Sequence, residues 1–134
     1  MDFVWLSRWQ PQLLAILRIV TALLFLEHAT QKFFAFPAPF PIQPLPPMLV
    51  AAGVIELVVG ILVTIGLFTR LAAFVAAGEM AIGYFMFHFP KGFWPVLNQG
   101  EGAILFCFVF LYLAAAGPGA WSIDGARERK APIR

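Results

Sequence analysis

The sequence predicts an all-α protein, a transmembrane four-helix bundle with both termini in the cytoplasm. Of its 134 residues, 61% are hydrophobic and only 12% are charged, about half the charged share of a typical soluble domain. The apolar residues collect in four long runs separated by proline, glycine and charged residues, as expected of membrane-spanning helices. The predicted spans are residues 12–36, 48–68, 71–89 and 100–116. They form one membrane domain, residues 1–124, followed by a basic cytoplasmic tail, residues 125–134.

The segments between the spans have the composition of membrane interfaces. Residues 1–12 carry two tryptophans and Arg8, which suit the lipid headgroup region. The first apolar run has no small-residue cleavage site, so we predict a retained helix and not a signal peptide. Residues 36–47 hold six of the eleven prolines and cannot continue a helix. We expect a stiff connector over one end of the bundle, with a lid over a site as the alternative interpretation.

The distribution of lysine and arginine predicts the orientation. With four spans, Arg8, Arg70 and the basic tail fall on one side of the membrane, and Lys32 and Lys91 on the other. Positive residues concentrate on the cytoplasmic side of membrane proteins. Both termini are therefore predicted to be cytoplasmic.

Ionisable residues inside the spans indicate a polar site. At ~100° per residue, Arg18, His28 and Lys32 share a sector of roughly 80° on the first helix. The other helices contribute further acids to what we expect to be one cluster in the outer half of the bundle, because charged groups in lipid usually face protein and pair there. The candidate residues are Arg18, Glu27, His28, Lys32, Glu56, Glu79, His88, Glu101 and Tyr112. Arg18 is expected to pair with Glu79 or to extend to the cytoplasmic interface. The structural alternative is that these charges only fix helix register.

Several kinds of chemistry are disfavoured. The single cysteine, Cys107, permits neither an internal disulfide nor a redox-active cysteine pair. The two histidines lack the Glu-x-x-His spacing of a di-iron bundle, so no metal site is predicted, and haem is a less favoured alternative. No groove-reading pattern of basic residues indicates a nucleic-acid partner. No cofactor is visible, although the aromatic residues near the charges could stack a flat ring such as a quinone.

Five short stretches together resemble the DoxX family of small bacterial and archaeal four-helix membrane proteins. They are Arg18 with the HATQK run at 28–32, GVIELVVGILVTIGLFTR at 53–70, the Glu79–Met80 helix ending in His88, NQGEGA at 98–103 and GPGAWSID at 117–124. Ala29 stands where relatives usually carry glycine. The resemblance implies a multi-pass protein of the bacterial or archaeal inner membrane, linked to quinone-dependent redox complexes or oxidative-stress complexes.

The leading functional hypothesis is therefore a quinone-linked membrane redox subunit or helper. In it, His28 and Lys32 bind quinone oxygens, Glu56 and Glu79 carry protons, and Glu101 orients the site. A redox enzyme subunit would be its partner, since the sequence shows no electron carrier. The alternatives are a non-catalytic scaffold that recruits redox or stress enzymes through the basic tail, and a small proton-coupled transporter, for which a homo-oligomer would be required.

Overall fold

A computed structural model describes residues 2–130, and this part of the chain is helical without strands. Six α-helices follow one another: α1 (Gln10–Phe34), α2 (Pro47–Ile65), α3 (Thr69–Gly83), α4 (Pro95–Asn98), α5 (Glu101–Ala116) and α6 (Ile123–Lys130). A 3₁₀ segment, Val4–Trp9, leads into α1, while a π-helical turn, Tyr84–His88, and a 3₁₀ turn, Phe89–Lys91, extend α3. Arg134, which the sequence analysis counted in the basic tail, lies outside the described residues.

Within residues 2–130, three helical stretches are long and apolar enough to cross a membrane: Val4–Phe34, Pro47–Ile65 and Thr69–Lys91. The fourth predicted span corresponds to α5, which is apolar but has only 16 residues. At 1.5 Å per residue, α5 is about 24 Å long, somewhat less than the ~30 Å hydrocarbon core of a bilayer. A fourth crossing, and with it the position of the termini, stays a prediction.

Backbone conformation determines where the long helices end. Ala35 adopts a left-handed conformation directly after α1, and Gly66, with φ of 72°, does so after α2. Glycine reaches this region without steric cost. Thus α2 ends at Ile65, and Leu67 and Phe68, which the sequence analysis included in this span, belong to the turn that follows it.

Four long helices share one core. The helix α2 packs against both α1 and α3, and α3 packs against α5. The core is made of ten buried residues: Ala22, Phe25, Val59, Val63, Ala72, Ala73, Ala76, Ala77, Phe110 and Leu113. Four of them are alanines of α3, whose small side chains allow close approach between helices.

The connections place α6 at the end of the molecule where α1 and α3 begin and α2 and α5 end. We call this the α6 end. The proline-rich connector between α1 and α2 lies at the opposite end, which we call the proline-rich end. The sequence analysis predicted only a polar tail after residue 124, whereas Ile123–Lys130 is helical.

Candidate functional site

A buried ion pair joins α1 to α2 near the proline-rich end. Lys32 Nζ lies 2.7 Å from Glu56 Oε1, and the two side chains are 6% and 3% exposed. Small residues of α2 make room for it, since a Cβ atom on Gly53 would come within 3.2 Å of the Lys32 side chain. The two charges can therefore approach in a region that excludes water.

Glu79 of α3 adds a second carboxyl to this pair. Its carboxyl lies near that of Glu56, close enough for the two charges to interact. Its Oε2 atom is buried and has no hydrogen-bond partner among the described residues. Buried polar atoms are usually satisfied, so Oε2 marks a position where a further polar group can bind. We call Lys32, Glu56 and Glu79 the charged cluster.

His28 lies beside the charged cluster, against the aromatic residues that connect α1 with α5. Its ring centre is 5.8 Å from that of Phe106, in an edge-to-face arrangement, and 6.4 Å from that of Phe25. Phe106 also stacks on Phe110. The imidazole is thus held between apolar rings on one side and charges on the other.

The proline-rich connector covers the charged cluster. Lys32 Nζ lies 4.9 Å from the ring centre of Phe40, a cation–π contact. Phe40 and Leu45 are half-buried, and the other residues of the connector at 36–46 are exposed. This contact agrees with the predicted stiff connector over one end of the helices.

The other candidate residues lie apart from the charged cluster. Glu27 and Glu101 are exposed, and Tyr112 is 52% exposed in a groove that also includes Ser7 and Gln10, toward the α6 end. His88 belongs to a separate polar group. The fold therefore brings the charged cluster and His28 together, while the remaining candidates are exposed or belong to other polar groups.

The group around His88 is organised by Asn98, which entered the sequence analysis only as the first residue of the NQGEGA stretch at 98–103. Asn98 is fully buried, and its Nδ2 donates to Tyr84 Oη at 3.1 Å and to the Gly92 carbonyl at 2.9 Å. His88 Nδ1 lies 3.1 Å from the Asn98 main-chain oxygen, and its ring stacks on Tyr84. These bonds close the turn between α3 and α5. In the sequence, the available indication of this group was an asparagine that lies between a tryptophan-containing stretch and a glycine-rich stretch.

Arg18 does not pair with Glu79, the first of its two predicted arrangements, and its side chain is completely buried. It points instead toward the α6 end, and its extension to a membrane interface stays a prediction. The guanidinium donates to main-chain oxygens after α5: to Pro118, to Ala120 at 3.1 Å and to Trp121 at 2.8 Å. The reason is that residues 117–122 turn back beneath α1 and bring main-chain carbonyls without helical partners close to the Arg18 guanidinium. In the sequence, this reversal of the chain is indicated by the GPG turn and the short polar stretch that follows it.

At the α6 end, Asp124 connects the segment after α5 to the start of α3. Its two carboxylate oxygens each accept a 2.9 Å hydrogen bond, from the main-chain N–H groups of Phe68 and Thr69 at the start of α3. Partial burial works to raise the pKa of this carboxyl, but these hydrogen bonds and the nearby Arg127 outweigh it, so the pKa lies below its ordinary value. An anion at a helix N-terminus is also favoured by the helix dipole.

Arg70 has a similar structural role. Its guanidinium donates to the main-chain oxygens of Ala114 and Ala115, the last carbonyls of α5. Those carbonyls have no partner within the helix. Arg70 therefore binds the end of α5, as Arg18 binds the segment that follows it.

No group of three or more His, Cys, Asp or Glu side chains within residues 2–130 is arranged to hold a metal ion. The charged cluster contains one lysine and two carboxyls, a set better suited to hydrogen bonding and proton exchange than to metal ligation. Cys107 is half-buried within α5.

The apolar helices and their internal charges define a helical membrane protein. The chain belongs to the DoxX family, whose sequence profile matches residues 13–89, more than half of its length. An uncharacterized protein of Haemophilus influenzae is 46% identical over 131 residues, covering 93% of this chain and 98% of that protein. An uncharacterized membrane protein of Mycobacterium tuberculosis is 28% identical over 138 residues, covering 90% and 85% respectively. No solved structure matches.

Proposed function

We propose that this DoxX protein is a multi-pass component of the inner membrane, with cytoplasmic termini, that binds a quinone and exchanges protons with it. The observation that carries the proposal is the unpartnered, buried Glu79 Oε2 beside the Lys32–Glu56 pair. Ionisable groups within a membrane are costly, and they usually mark ion, proton or ligand sites.

The residues around Glu79 have the chemistry that a quinone headgroup requires. A quinone presents two carbonyl oxygens on a flat ring. Lys32 has three N–H donors and uses one on Glu56, so others are free to bind a carbonyl oxygen. His28 can donate to the second oxygen, and the Phe106 ring beside it offers an apolar surface.

Reduction of a quinone to a quinol takes up two electrons and two protons. We assign the two protons to the neighbouring carboxyls of Glu56 and Glu79, which would pass them to the quinone in turn. The electrons come from the redox centre of a partner enzyme. The chain is thus a membrane subunit or helper and not a complete oxidoreductase.

The test is quinone binding by the purified full-length protein. We would measure native mass spectra in mild detergent with added ubiquinone-2, a short-chain quinone, and identify any lipid extracted with the wild type. Glu79→Gln and His28→Ala should each weaken binding by about tenfold or more, the effect of losing roughly 1.4 kcal/mol. Glu128→Gln, a charge-matched change on α6, should leave binding unchanged. Binding that survives both site variants would overturn the proposal.

A non-catalytic scaffold is the second candidate, because α6 presents exposed charged side chains, among them Arg127, Glu128 and Arg129. A chain truncated after Asp124 retains the contacts of Asp124 with α3. If this chain loses a co-purifying soluble oxidoreductase but still binds quinone, both functions are present. If the truncated protein loses the enzyme, and neither the truncated nor the full-length protein binds quinone, the scaffold is favoured.

Proton-coupled transport would use the same buried carboxyls. This candidate predicts that the protein moves protons in proteoliposomes, with or without a transported substrate. The variant Glu79→Gln should abolish this proton flux. A homo-oligomer is part of this candidate, because four helices enclose little space for a permeation path. Absence of flux together with quinone binding would exclude it in favour of the leading proposal.

A further inference from the structure

An open groove of about 490 Å³ lies at the α6 end, between the end of α2 and the helix α6. Ile65 and Ile123 contribute apolar surface, Trp121 forms part of the wall, and Arg127 and Arg129 contribute positive charge. The charged cluster lies near the proline-rich end, so the groove is a separate site. The leading proposed function does not use it, and only the scaffold candidate involves its two arginines.

The two arginines are available to an anion. Arg127 Cζ lies 5.7 Å from the ring centre of Phe68. This cation–π contact orients the guanidinium group and does not neutralise its positive charge. In the described part of the chain, neither arginine has a carboxylate within ion-pair distance. Asp124, the nearest acid in sequence, gives its oxygens to the amides of α3.

The remaining acid of α6 faces away from the groove. At ~100° per residue, Ile123, Ala126, Arg127 and Arg129 span roughly one half of the helix circumference, and Glu128 projects from the other half. Glu128 is exposed. The groove side of α6 is therefore basic, although the helix as a whole contains both signs of charge.

The surroundings of the groove are those of a membrane interface. Trp121 and Phe68 are 62% and 56% exposed. Phe68 directly precedes the apolar helix α3, and Trp121 lies in the segment between α5 and α6. Aromatic residues concentrate at the headgroup level of membranes, and basic residues beside them attract anionic lipid. Apolar surface on Ile65 continues from the groove toward the membrane interior.

From this combination we propose that the groove binds the phosphodiester headgroup of an anionic phospholipid. The guanidinium groups of Arg127 and Arg129 bind the phosphate oxygens, for which arginine is geometrically suited. The first part of the acyl chains lies on Ile65 and Ile123, and Trp121 lies at the glycerol level. The occupant is a lipid of the leaflet at the α6 end.

The experiment is a lipid titration of the full-length protein in dodecylmaltoside, followed by native mass spectrometry. Dioleoylphosphatidylglycerol, which is anionic, is compared with zwitterionic dioleoylphosphatidylcholine. The wild type should bind the anionic lipid preferentially. The double variant Arg127→Gln/Arg129→Gln should bind it about 25-fold more weakly, since each basic residue near a lipid surface contributes roughly 1 kcal/mol, or about fivefold.

Two control variants separate this site from general charge effects. Arg8→Gln removes one positive charge from the N-terminal segment and should leave the preference unchanged. Arg127→Lys/Arg129→Lys keeps the charges and should retain most of the preference, which also shows that the helix tolerates substitution. Equal binding of the two lipids, or an unchanged preference in the double glutamine variant, would overturn the proposal. Complete displacement of the lipid by millimolar inorganic phosphate would also overturn it, because the site would then recognise a free anion.

Discussion

Lys32 Nζ and Glu56 Oε1 are 2.7 Å apart, and both side chains are almost completely shielded from solvent. The pair connects α1 to α2, and the Glu79 carboxyl of α3 lies near Glu56. Three helices thus meet at one set of charges. The stability of the helix arrangement and the chemistry of the site therefore depend on the same residues.

Loss of one partner should be more damaging than loss of both. Glu56→Gln leaves the Lys32 ammonium buried with a weaker partner, and removal of one member of a buried ion pair costs about 3–5 kcal/mol. Lys32→Met/Glu56→Met replaces both groups by apolar side chains of similar length and should recover most of this loss. The measurement is the free energy of unfolding in mixed detergent micelles, with Glu128→Gln as the exposed control. A double variant no more stable than Glu56→Gln would contradict this account.

Two glycines of neighbouring helices should respond to alanine in opposite directions. A Cβ atom on Gly60 would lie 2.6 Å from Leu26 Cγ and Cδ2, whereas one on Gly78 would have no atom within 4 Å. Gly60→Ala should cost about 1–3 kcal/mol through overpacking of α1 against α2. Gly78→Ala should be neutral or stabilise by up to ~1 kcal/mol through helix propensity. Thermal unfolding of both variants in the same detergent compares them directly, and equal melting temperatures would argue against close α1–α2 packing at Gly60.

Arg18 should hold the segment after α5 in place. Arg18→Met keeps an apolar stem but removes the donors to Pro118, Ala120 and Trp121. Bonds from charged groups contribute about 1.5–3 kcal/mol, so the segment should open at least tenfold more often. Hydrogen–deuterium exchange checks this at the amides of Ala120 and Asp124, which donate to main-chain oxygens of other segments.

The matched control for this exchange measurement is Arg8→Met. Arg8 is exposed and contacts Trp9 within its own segment, so its loss should leave exchange after α5 unchanged. Arg18→Lys should restore protection only in part, because an ammonium cannot reproduce the planar fork of a guanidinium. Exchange in Arg18→Met that equals the wild type would show that the segment is held by other contacts.

The contribution of Asp124 should depend on pH. Because its pKa is lowered in the folded protein, its stabilising effect is complete above its ordinary pKa and is lost as the pH falls through the folded value. Asp124→Ala should lower stability by about 1 kcal/mol at pH 7, the usual effect of losing a helix cap. The difference between wild type and variant should begin to shrink below about pH 4, the ordinary pKa of an aspartate, and should disappear only below the lower pKa of the folded protein. Unfolding measured at a series of pH values tests this, and a difference independent of pH would show that ionisation of Asp124 is irrelevant.

The periodicity of charged residues explains why part of the site could be predicted. His28 and Lys32 are four residues apart and share a helix face, and the single acids of the next two apolar runs had to face protein. The same reasoning cannot specify the neighbours of Glu101 and Tyr112, which are exposed, because an angular position on one helix does not determine which neighbour that helix packs against. It could not identify the partners of Arg18, because these are main-chain carbonyls, which have no signature in the sequence.

The sequence by itself determined a helical membrane protein with charges inside it, because apolar runs of this length and composition are stable mainly as helices in lipid. Only the tertiary structure decided which charges meet. Because residues 117–124 turn back beneath α1, Arg18 and Asp124 form structural hydrogen bonds there. Glu79 keeps one carboxyl oxygen without a hydrogen-bond partner among the described residues. The physical reason is that the position of a side chain along a helix follows from local periodicity, whereas its partner depends on how distant segments pack.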